Sequence, residues 1–213
     1  MAKGEFDERV CALIALGQTG AAATMVVREL GPEIRGSLSA VLGVSDADEV
    51  FSGWSVRLWR SLAGFEGRCS IRTWSHVLAR REIARFRKGM RRHAEGRVPI
   101  SELQDVLEVT RSSAGASSAT AERRRLMALR DELRLEDRTL LILRVDRNLA
   151  WDEIAVAFAE APGAFNQEDR KRESARLRKR FQLVKRRLIA RARARDPISR
   201  AGGARSGPPQ PGA

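Results

Sequence analysis

The chain has 213 residues and a formal net charge of +13, and 43% of its residues are hydrophobic while only 5% are aromatic. Tyrosine is absent and long stretches are free of Pro, so the composition predicts an all-α protein whose core consists mainly of Leu, Ile, Val and Ala. No apolar run reaches the length of a membrane span, and the first residues lack the hydrophobic core of a secretory signal, which predicts a soluble cytoplasmic protein without a membrane partner.

Residues 7–94 form a first block in which apolar residues recur at spacings of three and four. This period predicts two helices that meet at a turn near residues 17–20, and the second of them ends at Gly43. Ser45 or Asp46 is predicted to cap the helix that follows. The apolar residues of this third helix repeat every four positions on one face: Val50, Trp54, Leu58 and Leu62.

A short connection joins the third helix of this block to a fourth. Gly64 closes the third helix, and the segment Phe65–Trp74 that follows reads FEGRCSIRTW. The fourth helix is predicted from about Ser70 to Arg92, where apolar residues alternate with many arginines. One face of this helix is therefore expected to pack on the core while the remaining surface is cationic.

The helical period is lost at residues 95–120. The segment Arg111–Thr120 consists mostly of small and polar residues, which bury too little surface to offset the entropy of ordering. We predict a flexible linker here, which joins the first block to a second block at residues 121–195. The Pro- and Gly-rich tail at residues 196–213 is predicted to be disordered.

Apolar spacing in the second block predicts short helices followed by one long basic helix. One helix ends before a turn at residues 146–148, the next spans Trp151–Phe158, and the basic helix follows Asn166. The basic helix has a single apolar stripe: Leu177, Phe181, Val184 and Leu188. A narrow stripe with cations elsewhere is typical of the recognition helix of a helix-turn-helix domain, although a solvated or membrane-surface helix has the same pattern.

Positive charge is concentrated in two stretches of the chain. Between Arg170 and Arg195 there are thirteen Lys and Arg residues and one acidic residue. Between Leu78 and Arg97 there are eight Lys and Arg residues and two acidic residues. The rest of the chain is mildly acidic. A general preference for Arg would raise basicity everywhere without concentrating it in two places. The pattern therefore predicts a polyanionic partner such as DNA, with an affinity that falls steeply as salt rises.

Several segments follow patterns that occur together in one protein family. Phe65–Trp74 is similar to F-x-G-x-S-S-[FI]-R-T-W ahead of a basic helix, and Asn148–Ala155 is similar to G-L-S-[YW]-x-E-I-A. Arg138–Arg144 resembles R-E-V-x-x-L-R, while Ala47–Glu49 and Arg57–Arg60 resemble the two ends of a polymerase-binding helix. In this order the segments resemble bacterial RNA polymerase sigma factors of the extracytoplasmic-function group.

The resemblance implies a function and partners. Its first block would bind core RNA polymerase and capture the melted minus-ten element, and its second block would read the minus-thirty-five element of promoter DNA. The resemblance places the polymerase contact on one helix, at Asp48, Glu49, Val50, Arg57, Leu58 and Trp59. It leaves open whether an anti-sigma factor also binds.

Opening and reading a promoter require two different surfaces. A melted strand needs cations along its path and a flat side chain beside an unstacked base, for which the candidates are Trp74, Arg80, Arg81, Arg85 and Lys88. Duplex reading needs cations that reach base edges and phosphates, for which the candidates are Arg170, Lys171, Arg172, Arg176 and Lys179. For Trp74, packing in the core is an equal alternative.

Two other functions remain open. A stand-alone helix-turn-helix regulator explains the second block but leaves Phe65–Trp74 without a role. A sigma-like interaction protein is compatible with Ser52, Gly53 and Ser55, which stand where the family usually has Gln, an acid and Phe. The sequence has no Ser/His/Asp set, phosphate loop or metal cluster, so we do not expect an enzyme, a cofactor, a metal or a small-molecule substrate.

Overall fold

The computed structural model describes residues 3–94, 127–159 and 165–194. Within these ranges the chain is helical apart from its turns and contains no strand, which confirms the prediction of an all-α fold. The predicted linker at 95–120 and the predicted tail at 196–213 lie outside the described residues.

The first block consists of α1 (Lys3–Ala15), α2 (Thr19–Leu42), α3 (Val44–Ser61) and α4 (Ile71–Ala94), with a 3-10 turn at Leu62–Gly64. Gly17, in the predicted turn after α1, has φ 73°, and Gly43 between α2 and α3 has φ 88°. Glycine adopts these left-handed conformations without strain. Because α3 begins directly after Gly43, Ser45 and Asp46 lie inside its first turn, and the prediction that one of them caps the helix is wrong.

The core of the first block lies between α2, α3 and α4. Trp54 of α3 is fully buried there, and its indole Nε1 donates a hydrogen bond to the backbone carbonyl of Ser75 at 3.1 Å. Val50, Leu58 and Leu62 are buried on the same face, which confirms the predicted four-residue spacing. The Trp54 ring stabilises the packing of α3 against α4, because it buries a large apolar surface and its one polar atom has a hydrogen-bond partner.

The second block contains a helical stretch at 127–131, α5 (Leu135–Leu141), a π-helical turn (Ile142–Asp146), α6 (Trp151–Phe158) and α7 (Gln167–Ala194). The predicted turn after residue 146 is present, and Asn148 adopts φ 51° there, a conformation that Asn tolerates better than most residues. The predicted apolar stripe of α7 is buried or half-buried along its length: Leu177, Phe181, Val184 and Leu188.

The two blocks pack directly against each other along α4 and α6. Val77 of α4 is buried in the apolar cluster of the second block, together with Leu140 and Ile154. In return, Ile142 of the second block is buried in the core of the first. Apolar spacing did not predict this contact, because it indicates which face of a helix is buried but not which helix covers it.

Candidate nucleic-acid interface

The start of α4 is held by hydrogen bonds to polar side chains. Ser70 caps the helix, since its Oγ accepts a hydrogen bond from the backbone N–H of Thr73 at 3.1 Å. The N–H of Ile71, whose side chain is fully buried, donates to Oδ1 of Asp7 in α1 at 3.2 Å. These contacts determine where α4 begins and which of its faces turns to the core.

Trp74 is half-buried and packs against the core of the first block. The centroid of its ring lies 5.2 Å from that of Phe65, with an angle of 56° between the ring planes. Such an aromatic pair contributes about 0.5–1.5 kcal/mol beyond the area that it buries. Core packing is therefore part of the role of Trp74, and the rest of the indole reaches the surface.

The other candidate strand-binding residues on α4 include three cations at the surface. Arg81 and Lys88 are exposed. Arg85 is also exposed, and its guanidinium pairs with the carboxylate of Glu82 at 2.9 Å. The Glu82 side chain is buried and pairs with Arg57 of α3 as well. Because one carboxylate cannot neutralise two guanidinium groups, this part of the surface stays cationic.

Arg80 differs from these cations because it faces the second block. Its Nη1 donates a hydrogen bond to the backbone carbonyl of Phe158 at 3.2 Å, and its guanidinium carbon lies 4.7 Å from the centroid of the Phe158 ring. A cation over an aromatic face contributes about 0.5–2 kcal/mol. Arg80 is therefore committed to α6 in this structure.

Glu33 of α2, which sequence reasoning missed, organises the same end of α4. Arg72 Nε donates to both of its carboxylate oxygens, at 2.9 and 3.0 Å, and Nε2 of His76 lies 2.9 Å from Oε1. Burial alone would raise the pKa of Glu33, but the hydrogen bonds from His76 and Arg72 outweigh it and lower the pKa to about 2. Arg72 belongs to the sigma-like segment Phe65–Trp74, whereas nothing in the sequence around Glu33 indicates that it is the partner of Arg72.

The cations of α7 lie largely at the surface. The helix begins where predicted, because the Asn166 Oδ1 accepts a hydrogen bond from the N–H of Asp169 at 2.8 Å. Arg176 is already paired, since its Nε donates to Glu173 at 2.7 Å. The exposed candidates on this helix are Lys171, Arg172, Arg176 and Lys179.

Arg170, the remaining candidate, is half-buried at a cleft of about 730 Å³ between α6 and α7. The guanidinium carbons of Arg144 and Arg178 lie 5.1 and 5.9 Å from the centroid of the Trp151 ring in this cleft. The Nε of Arg170 is buried and has no hydrogen-bond partner among the described residues. The cleft therefore gathers cations, the residue type that contacts phosphate groups, around the Trp151 ring.

Three of the candidate polymerase-binding residues are exposed on α3. Asp48 and Glu49 lie in its first turns, where Asp48 accepts a hydrogen bond from Arg35 of α2 at 2.8 Å. Trp59 lies near the end of the same helix and is 56% exposed. An exposed indole and a pair of acids at the two ends of one helix form a surface that a protein partner can contact.

The other three candidates hold α3 in place. Val50 and Leu58 are buried in the core, and Arg57 is bound by Glu82. A Cβ atom at Gly53 would lie 3.1 Å from Oε2 of Glu82, so the glycine leaves room for this carboxylate. Val50 and Leu58 have almost no exposed surface, and they support the helix rather than contact a partner.

Comparison with known proteins gives no assignment, because no family model and no curated protein matches the chain. Among the described residues, no group of three or more His, Cys, Asp and Glu side chains is placed to hold a metal ion. None of the described helices is both long enough and apolar enough to cross a membrane. The described surface instead carries exposed cations on α4 and α7.

Proposed function

We propose that the chain is a sigma-like factor, which binds core RNA polymerase in the cytoplasm and directs initiation at specific promoters. The observation that carries the proposal is that two separate helices, α4 and α7, carry exposed cations, and that α4 packs mainly on the core of the first block while α7 packs on the apolar cluster of the second. A promoter-reading protein needs two such surfaces, because the melted element and the upstream duplex element are separate DNA sites. The order of the sigma-like segments supports the same function.

In this proposal the first block is a domain that holds the melted minus-ten strand along α4. Arg81, Arg85 and Lys88 supply positive charge to the strand, and the exposed part of Trp74 supplies a flat surface beside an unstacked base. Stacking on an unpaired base contributes roughly 1–3 kcal/mol and exists only after melting. Binding by this surface therefore favours the open promoter.

The second block is proposed to be a helix-turn-helix domain that reads the minus-thirty-five element. The helix α6 supports α7, and the Oγ of Ser174 in α7 donates a hydrogen bond to the backbone carbonyl of Trp151 at 3.1 Å. Lys171, Arg172 and Lys179 remain exposed on α7 and can reach phosphates and base edges in the major groove.

Contact with core RNA polymerase is proposed for the exposed residues of α3. Trp59 is the apolar anchor of this surface, and Asp48 and Glu49 supply its charge. Core polymerase and promoter DNA are thus the proposed partners.

Reconstituted transcription from a library of upstream sequences tests the proposal. We expect the chain to form a complex with core RNA polymerase and to enrich one class of promoter. Trp59→Ala should weaken the core complex by about tenfold or more, because buried interface aromatics are energetically dominant. Leu16→Ala is the matched control, since Leu16 is also apolar and is 71% exposed, yet lies outside the proposed surface.

The other outcomes separate the alternative functions. Binding to duplex DNA without any complex with core polymerase would favour the stand-alone regulator. A core complex that never initiates would favour the sigma-like interaction protein.

A further inference from the structure

Arg147, which follows the π-helical turn of the second block, reaches across to α2 of the first block. Its Nε donates a hydrogen bond to the Oγ of Ser37 at 2.8 Å. Its guanidinium lies over Gly36, where a Cβ atom would be only 2.7 Å from Nη2. Glycine inside a helix destabilises it relative to alanine. Here the missing side chain is what lets the guanidinium reach α2.

Arg72 joins the same contact from α4. In addition to Glu33, it binds the second block, because its Nη2 donates to the backbone carbonyl of Arg147 at 2.8 Å. A single guanidinium thus ties two helices of the first block to the turn that precedes α6.

Further along α4, the same face meets α6. The Oγ1 of Thr73 donates to Oε1 of Glu153 at 3.2 Å, and Arg80 donates to the carbonyl of Phe158 at 3.2 Å. Val77 lies between these two residues of α4 and is buried in the apolar cluster of the second block. Positions 73, 77 and 80 have the spacing of one helical face, so α6 covers that face of α4.

We propose that the second block and single-stranded DNA compete for this face of α4, and that the contacts of Arg147 and Arg72 hold the chain in a closed form. The inference rests on the proposed function and extends its strand-binding surface to Arg80, which the sequence predicts to contact melted DNA. In the closed form Arg80 binds α6, while the exposed cations of α7 stay available to duplex DNA. Because only open molecules bind a single strand, the apparent affinity equals the affinity of the open form multiplied by the fraction of molecules that are open. By reciprocity, binding of a strand shifts the equilibrium towards the open form by the same factor by which closure weakens strand binding.

Cys69 is a native reporter of this junction. Its side chain is half-buried against the apolar cluster of the second block, and burial raises the pKa of its thiol to about 11. Both effects slow its reaction with a maleimide in the closed form. Cys11 is exposed and provides an internal reference on the same chain. Separation of the blocks uncovers Cys69 and leaves Cys11 unchanged.

The first test compares the full-length chain with its Arg147→Ala variant. Mass spectrometry follows the modification of both cysteines by N-ethylmaleimide. Loss of the Arg147 contacts should speed the modification of Cys69 on the order of tenfold, with no change at Cys11. Arg130→Ala is the matched control, because it removes the same charge from an ion pair with Asp146, at 2.9 Å, within the second block.

Fluorescence anisotropy with a short labelled single-stranded oligonucleotide then tests the competition. Arg147→Ala should bind the oligonucleotide several-fold more tightly than the wild type, even though it has lost a positive charge. Loss of charge alone predicts equal or weaker binding, as we expect for Arg130→Ala. Saturating oligonucleotide should also speed the modification of Cys69 in the wild type.

Gly36→Ala is a second variant that keeps the test decisive if Arg147→Ala unfolds. The added methyl group displaces the Arg147 guanidinium yet favours the helical state of α2, so opening cannot result from a weaker helix. Circular dichroism first verifies the fold of each variant. An unchanged rate at Cys69 in folded variants would overturn the closed form. Equal affinity of the wild type and variants for the oligonucleotide, or no binding by any of them, would overturn the competition.

The outcome for the proposed function is distinguishable from these results, because the cysteine measurement needs neither DNA nor polymerase. A chain that opens as expected and binds the oligonucleotide but never initiates with core polymerase contradicts only the proposed function. A chain that initiates normally but shows no response at Cys69 contradicts only the closed form.

Discussion

Two acidic residues between helices hold cations that lie far from them in the sequence. Glu33 binds Arg72 and His76 of α4, while Glu82 of α4 binds Arg57 of α3. Removing one partner of a buried ion pair destabilises a protein by several kcal/mol, because the remaining charge is left without a partner. These residues therefore fix how α2, α3 and α4 pack, and for Glu33 the effect is measurable as a pH dependence.

The stability of the folded chain should fall in acid through Glu33. Its pKa in the folded protein is about 2, below the ordinary value of 4.5. The stabilisation is therefore complete above pH 4.5 and is lost as the pH falls towards 2. The effect is on the order of 3 kcal/mol, given about 1.4 kcal/mol for each pKa unit. Urea unfolding across this pH range should show a steeper loss of stability for the wild type than for Glu33→Gln.

Glu66→Gln provides the control for this measurement. Glu66 pairs with Arg68 at 2.5 Å, and more than half of each side chain is exposed. An exposed ion pair contributes little, so this variant should keep the pH dependence of the wild type. Parallel curves for the wild type and Glu33→Gln between pH 4.5 and 2 would contradict the role of Glu33.

At the scale of the helices, single polar residues determine where elements begin. Ser70 caps α4, and Asn166 caps α7. Ala150 cannot cap α6 with its side chain, but its N–H donates to Oε2 of Glu153 at 2.9 Å, which is one half of a capping box. The start of α6 is therefore held without the Ser that the sigma-like pattern usually has.

Asn166→Ala should destabilise the start of α7. The substitution removes the acceptor for the N–H of Asp169, and loss of an N-cap typically costs about 1 kcal/mol. Thermal unfolding of the full-length chain measures the loss. Asn166→Asp keeps a cap acceptor and adds a negative charge at the positive end of the helix, so it should unfold at or above the wild-type temperature. Equal losses for both variants would show that the cap does not act through this acceptor.

At the scale of the whole molecule, exposed cations on α7 should make duplex binding strongly dependent on salt. Each phosphate contact changes the slope of log affinity against log salt by about one unit. Lys171→Ala and Lys179→Ala should each lower the slope by about this amount, because both side chains are exposed. Arg176→Ala should change it less, since its guanidinium is already bound by Glu173. Titration of a labelled duplex at several salt concentrations measures the slope.

Arg28→Ala is the control for the salt dependence. Arg28 is exposed on α2, outside both proposed DNA surfaces, so its loss removes the same charge without removing a phosphate contact. Its slope should match that of the wild type. A reduction equal to that of Lys171→Ala would mean that net charge, rather than the surface of α7, governs binding.

The sequence by itself determined the local features of the chain. Apolar spacing predicted the bounds of α2, α6 and α7 to within a few residues, together with the four-residue face of α3 and the stripe of α7. These predictions succeeded because helical period and glycine turns depend on residues that are near one another in the chain. The cap of α3 was predicted wrongly because Gly43 serves both as the end of α2 and as the start of α3.

Only the tertiary structure decided which of the candidate residues are available. It commits Arg80 to α6 and places Val50 and Leu58 in the core, and it brings Arg72 to Glu33 and to the carbonyl of Arg147. The partners of Arg72 are 39 and 75 residues away in the chain, and Arg147 lies 110 residues from Ser37. The spacing of apolar residues along one helix contains no information about contacts between residues so far apart in the sequence. Such contacts depend on how whole helices pack, and on positions such as Gly36, where the absence of a side chain leaves room for the Arg147 guanidinium.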